Sequence, residues 1–87
     1  MSDELTTWRE MIREAMQEYH ETVVVATTLT EEQYDKEFDR GFGGVEGCSF
    51  TLWTKDRVYF PIVYDGAEYV GSAPRNPCDE ACEHQGG

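Results

Sequence analysis

A chain of 87 residues with eighteen Asp and Glu against seven Lys and Arg has a formal net charge of −11, which argues against nucleic acid as a direct partner, because phosphates need cations. Apolar residues make up 39% and aromatics 13%, enough for one small core and unlike a disordered acidic tail. No run approaches the ~20 apolar residues of a membrane span, and the acidic start Met1-Ser2-Asp3-Glu4 has no apolar signal stretch, so a cytoplasmic protein is expected.

Residues 5–19 have helical periodicity. Leu5, Trp8, Ile12, Ala15, Met16 and Tyr19 fall within an arc of roughly 100°, the width of a core-facing stripe. Thr7 with Glu10 suits a capping box, and Ser2 is an equal candidate for an earlier start. Residues 22–28 are ambiguous: their β-branching favours a strand, while Val23 and Ala26 would continue the apolar face of the helix. A short second helix is expected at 31–38. Thr30 serves as N-cap, Gln33 sits three residues on, and Leu29 is placed to staple onto Tyr34. Residues 41–47 hold four glycines in seven positions and read as a flexible connector.

From Cys48 the pattern changes to strand, in runs 48–54, 58–64 and 67–73. Asp65-Gly66 signals a type I′ hairpin. Parity decides the turn near Lys55-Asp56-Arg57. A two-residue turn sets Phe50 and Leu52 against Tyr59 and Pro61; a three-residue turn sets them against Phe60 and Ile62. The second register is favoured, because it gathers Phe50, Leu52, Val58, Phe60 and Ile62 on one face. Pro61 better suits an edge or a bulge. The expected fold is α+β: one long N-terminal amphipathic helix and a short second helix packed on a three-stranded antiparallel meander. It forms a single domain over 1–87, with an acidic helical part at 1–40, the connector at 41–47, the sheet at 48–73 and an extended tail at 74–87.

The charge is concentrated. The first 46 residues carry twelve acids and four bases; the remaining 41 carry six and three. On a wheel with Leu5 at the origin, Glu10, Glu14, Glu18 and Glu21 fall between about 140° and 220°, opposite the apolar face. Glu10–Glu14 and Glu14–Glu18 are like-charge pairs, each costing the helix about 0.2–0.5 kcal/mol. A solvated face is the ordinary explanation, and a salt-adapted surface is another. Glu31 and Glu32 also have a local reason, since first-turn carboxylates favour the helix dipole. Carboxylates four residues apart are ~6 Å apart along a helix, whereas duplex DNA carries one charge per ~1.7 Å. One stripe is therefore too sparse to imitate DNA. Mimicry needs Glu31, Glu32, Asp35, Glu37 and Asp39 on the same side.

No familiar catalytic signature is present, and no enzymatic activity or cofactor is expected. Cys78, Cys82 and His84 form a C-x3-C-x-H cluster that, with Cys48, has the ligand set of a structural zinc site, but the spacing is unusual and free cysteines are the simpler expectation. Cys48 with His20 or His84 as base has the residue types of a nucleophile pair, with nothing in the sequence to place them together. Trp53 and Tyr59 are secondary interface candidates, against the alternative that both are core.

The block from Phe50 to Pro77 resembles a small family of acidic proteins from bacterial mobile elements. In size and charge the whole chain resembles the small anti-CRISPR proteins, nearest to the type I-C class. The resemblance implies a bacterial cytoplasm and a non-enzymatic inhibitor that binds a Lys/Arg-rich, DNA-binding groove on a Cas subunit of a type I surveillance complex. It carries over no binding residue. The alternative is a mobile-element interaction module unrelated to CRISPR, using an aromatic sheet face, with acidity only for solubility. A monomer is expected over a homodimer.

Overall fold

A computed structural model describes residues 5–86. The order is β1 (Leu5–Thr6), α1 (Trp8–Glu18), β2 (Ala26–Thr27), α2 (Glu31–Asp35), β3 (Phe38–Asp39), β4 (Leu52–Trp53), β5 (Arg57–Tyr64) and β6 (Ala67–Pro74). The α+β class is as expected. The three-stranded meander is not: the strands form a two-stranded sheet, β1–β3, and a four-stranded antiparallel sheet in the order β2-β4-β5-β6.

The first helix is shorter than its periodicity suggests, at 11 residues. Leu5 and Thr6 leave it to pair with Asp39 and Phe38. Thr7 is the N-cap, its hydroxyl accepting from the Glu10 N–H at 3.2 Å. The far end closes at His20, whose φ of 59° is left-handed. There His20 N–H donates to Gln17 at 3.1 Å and Glu21 N–H to Met16 at 2.9 Å, the bond pattern of a Schellman stop. That stop resolves the ambiguity at 22–28. The chain turns away, and Ala26–Thr27 joins the sheet as a strand.

The second helix starts as expected, with a complete capping box between Thr30 and Gln33. It ends at Asp35 rather than residue 38, because Phe38 is drawn into β3 and the core. Trp8 is the hub there, with ring centroids 4.8 Å from both Phe38 and Phe50 and its indole N–H donating to the Cys48 carbonyl at 3.0 Å. Ile12, Met16, Leu29, Leu52 and Tyr59 complete this core.

The favoured register between β4 and β5 is overturned. Leu52 pairs with Tyr59 and Trp53 with Val58, the two-residue turn. The Thr54 N–H donates to the Arg57 carbonyl at 2.9 Å, and the Arg57 N–H to the Thr54 hydroxyl at 3.0 Å. The inner face of β5 therefore presents Arg57 and Tyr59, while Val58, Phe60 and Ile62 turn to the other face and are half-buried. Face segregation by hydrophobicity failed because the buried polar atoms find partners from elsewhere in the chain. The Tyr59 hydroxyl donates to Glu21, and the Arg57 guanidinium makes two bonds to Glu80. Pro61 is tolerated because β4 pairs only with Val58 and Tyr59, leaving β5 flanked by β6 alone at that point. The β5–β6 hairpin matches its signal: Asp65 and Gly66 both have positive φ, as a type I′ turn requires.

The glycine-rich connector is held by a buried carboxylate. Glu68, 1% exposed, accepts from the N–H groups of Glu46 and Gly47 at 2.8 and 3.0 Å. Gly47 is required by packing, since a Cβ there would lie 2.7 Å from Trp8. The tail is anchored as well: Arg57 Nη1 meets Glu80 at 3.0 Å, and Arg75 Nη1 donates to the Thr54 carbonyl at 2.8 Å.

Candidate acidic docking surface

The acidic ridge of α1 follows from the stripe that Trp8, Met11, Ile12 and Met16 bury. Burial of that stripe leaves Glu10, Glu14 and Glu18 exposed on the opposite side. Glu10 accepts from the Thr6 hydroxyl at 3.2 Å; Glu14 and Glu18 have no hydrogen bond or ion pair among the described residues.

Glu21, expected on the same ridge, belongs to the interior. The Schellman stop swings it off the helix, and it is half-buried. Its Oε1 accepts from the Tyr59 hydroxyl at 2.5 Å and its Oε2 from the Thr54 hydroxyl at 2.7 Å. Burial, then Glu21, push the Tyr59 hydroxyl well above the ordinary tyrosine range. Tyr59, an expected interface residue, is 0% exposed and is thereby corrected to a core residue. Trp53 is half-buried on β4.

The acids of α2 are separated from the ridge by a cation. Arg9, on the flank of α1, donates to Asp35 and, at 3.0 Å, to Glu31, and its guanidinium lies 4.3 Å from the centroid of the Tyr34 ring. The bond from Arg9 holds the Asp35 carboxyl below its ordinary range. Glu32 and Glu37 are exposed, and no side-chain partner engages them among the described residues. Asp39 lies half-buried in β3 and accepts from the Gly41 N–H at 2.9 Å. The nine expected acids thus fall into four groups: an exposed ridge (Glu10, Glu14, Glu18), an arginine-clasped set (Glu31, Asp35), two exposed acids near α2 (Glu32, Glu37) and two carboxylates that bind the chain's own backbone or side chains (Glu21, Asp39). Two further cations are engaged within the chain. Arg57 is buried against Glu80 and lies 3.7 Å from the Tyr19 ring, and Arg40 lies over Tyr69.

Among the described residues no group of three or more His, Cys, Asp and Glu side chains is placed to hold a metal ion. Cys78 and Cys82 are exposed on the tail, where His84 is also exposed, while Cys48 packs against the core beside Trp8. His20 follows the last turn of α1, whereas the Cys48 carbonyl accepts from Trp8 at its start, so His20 is not placed beside Cys48. No helix of the described residues is long and apolar enough to cross a membrane.

Two features escaped the sequence. Phe42, Val45 and Tyr64 are 67%, 71% and 56% exposed, and Gly43 N–H donates to the Gly66 carbonyl at 3.0 Å, tying the connector to the hairpin tip. Val23, Val24 and Val25 are exposed beside β2. The β-branched run 22–28 was the available signal for the second; nothing in sequence paired the connector with the hairpin. No family model, curated protein or solved structure matches the chain.

Proposed function

We propose that this chain is a non-enzymatic inhibitor that docks its α1 carboxylate ridge on a basic, nucleic-acid-binding surface of a partner protein and blocks access of target DNA. The observation that carries it is the row Glu10, Glu14 and Glu18, exposed opposite the core, with no cation engaging Glu14 or Glu18 among the described residues. Like-charge neighbours at this spacing destabilise their own helix, so a role outside the fold accounts for them. The resemblance of the whole chain, in size and charge, to the small anti-CRISPR proteins is what suggests a Cas subunit of a type I CRISPR–Cas surveillance complex as that partner. Arg9 stands between the ridge and α2, so the acidic surface is a ridge with a separate patch at Glu32 and Glu37 rather than a continuous imitation of a duplex. Long-range attraction would speed encounter and set a steep salt dependence.

The test is inhibition of target-DNA binding by a purified type I-C surveillance complex, with wild type and with Glu10→Gln, Glu14→Gln and Glu18→Gln combined. Loss of inhibition supports the reading; full inhibition by the triple variant removes the ridge from it. A second reading, an interaction module unrelated to CRISPR, is favoured by the exposed cluster Phe42, Val45 and Tyr64. Partner binding through that cluster would change little with salt.

A further inference from the structure

Beyond β6 the chain carries two cysteines four residues apart, in the run Cys78-Asp79-Glu80-Ala81-Cys82. In a fully extended chain the Cα atoms of such a pair stand about 13 Å apart, beyond the roughly 7 Å that a disulfide can span. Spacing alone therefore decides nothing; the path of the backbone does. Here that path is bent. The Glu80 N–H donates to the Cys78 sulfur at 3.5 Å, and Cys78, Glu80 and Cys82 border one cleft of about 360 Å³ beside Pro77. Both thiols are exposed and free.

Between the two cysteines the chain is pinned. Glu80 receives two bonds from Arg57, at 3.0 and 3.1 Å. Arg57 is itself held on several sides. It is 7% exposed, its Nε donates to the Ser72 hydroxyl at 3.1 Å, and its guanidinium lies 3.7 Å from the centroid of the Tyr19 ring. A two-bonded arginine–carboxylate pair fixes direction as well as distance. Pro74 and Pro77 narrow the conformations by which the chain reaches this point. The middle residue is thus fastened to the sheet while a cysteine flanks it on each side. Cys48, the third thiol, packs against the core and does not compete.

We propose that Cys78 and Cys82 form a thiol-pair modification site, which a low-molecular-weight disulfide closes into a bridge around the pinned Glu80. One cysteine thiolate attacks a sulfur of glutathione disulfide, forming a mixed disulfide and releasing a glutathione thiolate. The other cysteine thiolate attacks the protein sulfur of that mixed disulfide. The Cys78–Cys82 bond forms, and the second glutathione thiolate leaves. Two protein thiols are oxidised, the glutathione disulfide is reduced to two glutathiones, and the thiol protons pass to them through solvent. Clasp and bridge are linked by reciprocity: holding Glu80 brings the thiols together, so closing the bridge strengthens the hold on Glu80 by the same factor. The oxidised tail is the fastened state and the reduced tail the looser one. The site stands apart from the α1 ridge, and its test is independent of the reading above.

The full chain is equilibrated with mixtures of glutathione and glutathione disulfide, its remaining thiols are alkylated, and it is cut with trypsin. Cleavage after Arg75 leaves both cysteines in one peptide, so the bridge appears as that peptide without an alkyl group or a glutathione adduct. The effective concentration of one thiol at the other is expected to fall about fivefold or more in Glu80→Gln, and likewise in wild type unfolded by urea. Hydrogen exchange over residues 78–86 should slow on oxidation by the same factor in wild type, and not at all in Cys78→Ser. Should Glu80→Gln disturb the sheet, the urea comparison and the Cys78→Ser control still decide the point. The proposal is overturned by equal effective concentrations in the folded, Glu80→Gln and urea-unfolded chains, which would leave only the spacing. It is overturned equally by a persistent glutathione adduct in place of the bridge, by a bridge between two chains, or by faster exchange of 78–86 in the oxidised chain.

Discussion

Tyr59 and Glu21 meet across 2.5 Å, joining the middle of the sheet to the residue just past the stop of α1. The same carboxylate holds Thr54, so one acidic side chain links helix end, strand and turn. Tyr59→Phe is expected to cost about 1.5–3 kcal/mol, the range for a hydrogen bond to a charged group. A double-mutant cycle with Glu21→Gln, read by denaturant melts, should show coupling of about 1 kcal/mol. Because the folded Tyr59 hydroxyl lies above its unfolded value, the stabilisation is complete below the ordinary tyrosine range near ~10 and is lost as pH rises through the folded value. Tyr59→Phe should therefore unfold less steeply with alkali than wild type. Equal alkaline profiles would show that this contact does not govern them.

The tail depends on Arg57 and Glu80. The bond from Arg57 lowers the Glu80 carboxyl below its ordinary range. A depressed carboxyl stabilises the fold at pH values above its unfolded value, and the stabilisation disappears as pH falls through the lower, folded value. Hydrogen exchange of residues 78–86 is expected to accelerate as pH drops below the usual carboxylate range near ~4, after correction for intrinsic rates. Glu80→Gln should bring that release to neutral pH, seen as faster protease cleavage near Cys78–Cys82.

Packing against Trp8 sets a third expectation. A Cβ at Gly47 would lie 2.7 and 2.9 Å from two indole carbons and 3.0 Å from Phe38. Gly47→Ala is expected to destabilise by about 1–3 kcal/mol and to change the near-ultraviolet signal of Trp8. Gly44→Ala meets nothing within 4 Å and should leave both unchanged.

Stability and function should move in opposite directions on the ridge. Glu14→Gln relieves both like-charge pairs, raising stability by about 0.4–1 kcal/mol at low salt and by less at high salt. On the proposed function, the same change should slow association with a basic partner surface, measured as a reduced on-rate and a shallower salt slope. A stability gain with unaltered association would mark the ridge as a solvated face only.

Much of the local structure was legible in the sequence because neighbouring residues alone decide it. The Thr30–Gln33 capping box, the Asp65-Gly66 turn and the stripe Trp8, Ile12 and Met16 depend on contacts within a few residues. The β4–β5 register did not yield to the same logic. Hydrophobic segregation favoured Phe60 and Ile62 as core, but Tyr59 and Arg57 took the inner face because Glu21 and Glu80, remote in sequence, satisfy their polar groups. The candidate site divides in the same way. Glu10, Glu14 and Glu18 could be read from helical phase, while the inward turn of Glu21 rests on a left-handed His20.

By itself the sequence determined the charge, its concentration in the first half, the helix faces and one tight turn. Each of these comes from composition or from interactions over three or four residues. Only the tertiary structure decided which carboxylates are free and which polar side chains enter the core. Those outcomes depend on partners 20 or more residues away, such as Arg9 with Asp35, Arg57 with Glu80 and Glu68 with Gly47. Burying a polar atom is tolerable only where such a partner arrives, and local pattern holds no information on its arrival.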